Sequence, residues 1–174
     1  LAYLVLEGLG RVVRLSNTTG SILAAVDVGA HPRHLSVTGD GTQIYVSRFI
    51  TPSLPGEGTS APSLVLNGSP VGAEVVVVDG ASLQVVSTIV LEHSGAPATP
   101  QSGPGLPNYL RTPLISPDGL SAWVPSKQDN VLGGTLRSGT NLNHDHTVRA
   151  VSSRINLVTR SQTMRVDHDN ASVA

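Results

Sequence analysis

The sequence predicts an all-β chain, a partial β-propeller of about three to four four-stranded antiparallel blades. Three observations predict it. The first is a turn that occurs twice. Residues 29–46, GAHPRHLSVTGDGTQIYV, set Gly39-Asp40-Gly41 between two apolar runs, and residues 108–124, NYLRTPLISPDGLSAWV, set Ser116-Pro117-Asp118-Gly119 in the same position. Asp-Gly between alternating apolar runs is a hairpin signal, because both residues tolerate positive φ. The second is a period. Asp40 and Asp118 lie 78 residues apart, and setting aside the interruptions at 50–72 and 93–107 leaves 40, the length of one propeller blade. The third is composition: Val, Leu, Ile and Ala dominate, broken by 18 Gly and 12 Pro, which suits many short strands.

The elements follow in order. Strands are expected at 1–6, 11–15 and 22–28, with turns at 7–10 and 16–20, as the last three strands of one blade (residues 1–28). A complete blade spans 32–91. Its strands are 34–37, 43–49, 74–78 and 85–91, with the polar, Pro- and Gly-rich loop 50–72 inside it. The run Val75-Val76-Val77-Val78 is continuous rather than alternating, which implies burial on both faces. A third unit spans 108–166. It follows the loop 93–107, opens with the hairpin 110–115/121–124, passes through the loop 125–145 and closes with strands at 146–155 and 163–166. Residues 167–174 begin a further unit. Thr19, Ser82 and Thr159 align in the turns before each last strand, as hydroxyl groups able to bond turn backbone.

Composition excludes several functions. Net charge is −1, so no basic surface argues for nucleic acid. No apolar run reaches the length of a membrane-spanning helix. The absence of cysteine removes disulfides, thiolate metal sites, Cys nucleophiles and covalent haem attachment from this chain. A start at Leu1 in mid-repeat is read as a piece of a longer polypeptide.

The units resemble YVTN-type β-propeller repeats. The resemblance rests on Pro32, Gly39-Asp40-Gly41, Ile44-Tyr45-Val46, the stretch from Val75 to Asp79 and Val85-Val86-Ser87-Thr88-Ile89. A narrower likeness, in 107–130, 143–154 and 167–170, is to bacterial proteins that join such a propeller to a C-terminal cytochrome c-type domain. The resemblance implies a binding or scaffold module within a larger exported bacterial protein, periplasmic or secreted. The alternative it implies is the propeller domain of a periplasmic redox enzyme, whose c-type haem sits in a domain outside this chain. No CxxCH motif is present here, so no cofactor is expected in the chain itself. The expected partner is the rest of its own polypeptide, or another copy, completing the propeller.

No catalytic residue is expected: Asp40, Asp118 and Asp79 read as turn residues, and no nucleophile elbow, P-loop or HExxH motif occurs. The sequons at Asn17, Asn67 and Asn170 read as turn chemistry. The candidate ligand-binding residues are Arg33, Arg48, Arg111, Lys127 and Arg149. Arg33 and Arg111 stand near the starts of equivalent first strands, where two guanidiniums call for an anion or carboxylate. The candidate metal ligands are His144, His146 and His168. His144 and His146 share a strand face, but two imidazoles fall short of the four ligands of a structural zinc site. A polar loop without tightly held metal is the expectation. The three long loops are candidates for a binding surface.

Overall fold

The computed structural model describes residues 1–143 and 147–168. Among these, fourteen strands form three antiparallel sheets and one two-stranded hairpin. The first sheet is β1 (Ala2–Leu6), β2 (Arg11–Leu15) and β3 (Ile22–Asp27), in that order. The second runs β4 (Pro32–Val37), β5 (Gln43–Arg48), β8 (Ala73–Asp79) and β9 (Val85–Leu91). The hairpin β6 (Val65–Leu66)/β7 (Ser69–Pro70) interrupts it in sequence but not in space. The third sheet has β10 (Leu106–Asn108) and β11 (Leu114–Ile115) on one side of β12 (Ser121–Asp129), then β13 (Val148–Asn156) and β14 (Ser161–Asp167). Each sheet is an up-and-down meander, so every strand pairs with a near neighbour in the sequence.

The repeated turns have one chemistry. The Asp40 carboxylate accepts the Thr38 hydroxyl at 2.6 Å, the Thr42 N–H at 3.0 Å and the Thr42 hydroxyl at 2.9 Å, while Gly41 takes φ +72°. Asp118 does the same with the Ser116 hydroxyl and the Leu120 N–H, and Gly119 takes φ +69°. In the later turns the aligned acceptor lies three residues before the hydroxyls expected to bond the backbone. Ser16 Oγ, Asp79 Oδ1 and Asn156 Oδ1 accept the N–H groups of Thr19, Ser82 and Thr159. A short side chain at the strand end reaches forward over the turn, as an Asx or Ser/Thr turn requires.

Two apolar clusters explain the valine run. Val75 and Val77 join Tyr45, Ile89, Leu110, Val124 and Ile155 between the second and third sheets. Val76 and Val78 join Ile44, Val46, Val12 and Val28 between the first and second. Successive side chains on a strand point to opposite faces, and β8 is covered on both. Gly80 ties the first two sheets at the strand ends. Its carbonyl accepts the Tyr3 hydroxyl at 3.0 Å and its N–H donates to Thr42 O at 2.8 Å. A Cβ on Gly80 would stand 2.2 Å from Gly41 O.

The third sheet departs from expectation at Pro125. The loop expected from 125 is strand as far as Asp129, with Pro125 opposite Ser152. Proline survives in this inner strand because its missing N–H falls in the gap between β10 and β11. There Pro125 O accepts the Arg111 N–H at 2.9 Å and no donor is needed in return. The same gap shortens the first strand expected at 110–115 to Leu114–Ile115, and residues 106 and 107 of the expected loop 93–107 belong to strand β10.

Candidate anion-binding site

The site begins with a bulge. Pro32 pairs with Arg48 and His34 with Ser47, which leaves Arg33 as the extra residue of β4. Bulges re-aim a side chain, and Arg33 is laid over Phe49, its Cζ 3.5 Å from the ring centroid. Phe49 follows β5 directly. Its N–H donates to His31 O at 2.7 Å and its carbonyl accepts the Leu110 N–H at 3.3 Å, which brings the third sheet to the second.

Tyr109 completes the arrangement. It stacks on Phe49 with centroids 4.8 Å apart and planes 15° apart. Its backbone takes φ +53°, a conformation that bulky residues hold only when their surroundings impose it. Asn108 imposes it. Its Oδ1 accepts the N–H groups of Tyr109 at 2.9 Å and Thr51 at 3.1 Å, and its Nδ2 donates to Asp129 Oδ2 at 2.9 Å. Asp129 also pairs with Lys127 at 2.8 Å, and Lys127 Nζ lies 4.3 Å from the Tyr109 centroid. The result is a ladder of Arg33, Phe49, Tyr109 and Lys127 spanning two sheets.

The five candidate cations separate into kinds. Arg33 is forked onto Glu7 at 2.8 and 2.7 Å, and that bond holds the Glu7 carboxyl below its usual range. Lys127 is paired as described. Arg48 donates to Ala30 O at 2.8 Å and pairs with Glu74, so it braces the backbone before β4. Arg149 is buried, pairs with Asp167 at 3.5 Å and donates to Thr99 O and Pro100 O, holding the 93–107 loop. Arg111 alone of the five has no carboxylate partner among the described residues. Its Cζ lies 5.9 Å from the Phe49 centroid, so the Arg33 and Arg111 guanidiniums are closer than the ~10 Å over which salt screens charge. His34 stands edge-on to Phe49 at 6.4 Å with its Nε2 buried and unpartnered. Burial, then Arg111, then Arg33 push its pKa down.

Beside the ladder a 340 Å³ cleft is lined by Tyr109, Arg111, Pro125, Ser126, Lys127 and Val148 among others. Ser126 Oγ is buried without a hydrogen-bond partner on the other face of β12, the face of Val124 and Gln128. The long loops meet nearby: Arg137 donates to Glu57 O at 2.7 Å and the Thr51 hydroxyl to Pro107 O at 2.7 Å.

Of the histidines, His168 is exposed and its Nε2 lies 2.8 Å from Ser152 Oγ, while His144 and His146 lie outside the described residues. Among the described residues no three His, Asp or Glu side chains gather as a metal site would require. Sequence reasoning missed Phe49, Tyr109 and His34. The available signal was scarcity: Phe49 is the chain's one phenylalanine and Tyr109 one of three tyrosines.

No family model matches the chain, and no curated protein matches it. Among solved structures it is similar to hydrazine synthase of Kuenenia stuttgartiensis, at 15% identity and a TM-score of 0.46, over 95% of this chain and 45% of that one. The chain therefore spans less than half the length of that protein, and a likeness of this degree says nothing of activity.

Proposed function

We propose that the chain is part of a YVTN-like β-propeller acting as a binding module, and that its ligand presents an anionic group to the Arg33–Arg111 cluster. The observation that carries the reading is Arg111, a guanidinium without a carboxylate partner among the described residues, beside a rigidly held aromatic stack. Arg111 is exposed, so its guanidinium is reachable from solvent, and an anion placed there accepts charge-assisted hydrogen bonds from it. The propeller reading is supported by three consecutive meanders whose shared faces carry the core. The location, periplasmic or secreted in a bacterium, follows from the resemblance alone.

Among the described residues the first sheet has no counterpart of β4. The free edge of β1 borders a 730 Å³ groove floored by Leu35 and Val37. In this reading another part of the polypeptide, or another copy, lays a strand there and completes the blade.

The test is calorimetric titration of the full-length protein with sodium sulfate, inorganic phosphate and sodium benzoate. Binding of any of these that is lost in Arg111→Ala and kept in Arg11→Ala supports the reading. No binding, or binding indifferent to Arg111, rejects it. A Soret band on the full-length protein would move the assignment to the redox class.

A further inference from the structure

We infer that the cleft beside Tyr109 takes a monocarboxylate on a compact apolar body, an inference that rests on the anion-binding reading and narrows it. Charge sets the valence. Around the stack Arg33 is matched by Glu7, Lys127 by Asp129, Arg48 by Glu74 and Arg149 by Asp167. Among the described residues this leaves Arg111 as the one uncompensated cation of the cluster. One negative charge balances it, and the second charge of a dianion has no cation of its own to meet.

Geometry sets the headgroup. Arg33 lies flat on Phe49 at 3.5 Å, whereas Arg111 stands off at 5.9 Å. Among the described residues the Arg111 side chain donates no hydrogen bond, so its planar fork is available, and a carboxylate fits such a fork with two parallel bonds. The Arg111 N–H to Pro125 O bond, at 2.9 Å, pins the base of the side chain at the cleft wall. The Ser126 side chain lies on the other face of β12 with Val124 and Gln128, so the Arg111 fork alone meets the carboxylate. The remaining wall sets the body: Pro125, Val148, Ala150 and the Tyr109 ring offer apolar surface, and 340 Å³ admits a small ligand only.

Two sources carry this chemistry, a free acid and the C-terminus of a peptide, and the titration separates them. The full-length protein is titrated with sodium benzoate, sodium butanoate, a tripeptide ending in valine, the same tripeptide amidated, and inorganic phosphate. The expected result is binding of benzoate or butanoate, or of the free-acid tripeptide over its amide, with no binding of phosphate. Arg111→Lys, which keeps the charge and loses the fork, weakens binding ~10-fold or more. Phosphate binding as tight as benzoate, or Arg111→Lys without effect on benzoate, overturns the monocarboxylate assignment and leaves the anion reading standing. Silence of all five probes overturns both.

Discussion

Phe49 and Tyr109, 60 positions apart in the chain, stack at 4.8 Å with ring planes 15° from parallel and join the second sheet to the third. Each ring is backed by a cation on its own side, so the pair is both a structural joint and the floor of the candidate site. Phe49→Ala is expected to cost roughly 2 kcal/mol, less than a fully buried phenylalanine would. A double-mutant cycle with Tyr109→Ala is expected to show a coupling of ~0.5–1.5 kcal/mol. Chemical denaturation of the four proteins measures both, and additive losses would mean that the rings do not act together.

Val77 is fully buried between the second and third sheets. Val77→Ala is expected to lower stability by ~1–3 kcal/mol through lost burial and an unfilled cavity. Val158→Ala, at a largely exposed turn position, is the control expected to leave the denaturation midpoint unchanged.

Gly80 has no room for a side chain, since a Cβ would press on Gly41 O. Gly80→Ala is expected to destabilise by roughly 1–3 kcal/mol, because backbone rather than a flexible side chain must give way. A thermal melt reads the change. An unshifted Tm would mean that the two turns are free to part.

The Asp40 carboxyl is held down to about 2, first by the Thr38 hydroxyl, then by the Thr42 N–H and hydroxyl. A folded pKa below the unfolded value near ~3.9 stabilises above the unfolded value. That contribution fades as pH falls through the folded one. Asp40→Asn is therefore expected to flatten the loss of stability between about pH 4 and pH 2. Carboxyl NMR titration checks the midpoint directly.

His34 has its pKa lowered too, for a different reason. Its imidazole is held neutral by burial first and by Arg111 and Arg33 next. Stability linked to it is full above the unfolded value near ~6.5 and declines as pH falls from there through the lowered folded one. Arg111→Ala removes one of the two opposing cations. The His34 midpoint, followed by NMR, is expected to rise toward its ordinary value. No movement would show that Arg111 is screened from the ring.

The Asp-Gly turns and the valine run were legible because their causes are local: a carboxylate reaching two residues on, and a strand covered on both faces. The passage of β12 through Pro125 was not, since it depends on a gap between β10 and β11 that exists only once the sheet is assembled. The site divides in the same way. The positions of Arg33 and Arg111 near first strands can be read from the repeat, but the phenylalanine that gathers them cannot. Arg48 and Arg149 stand in the same set of sequence candidates, with nothing local to show that they are occupied. Glu74 and Asp167, which occupy them, arrive from other strands 26 and 18 residues away.

The alternation of Val75 to Val78 between two apolar clusters has a dynamic consequence. Both clusters lean on β5 and β8, while the first and third sheets each lean on only one cluster. Either outer sheet can therefore open without dissolving the other contact, whereas β5 and β8 lose protection only when both have gone. Their amides should be the last to exchange with deuterium, with the first sheet and the third opening as separate foldons around them.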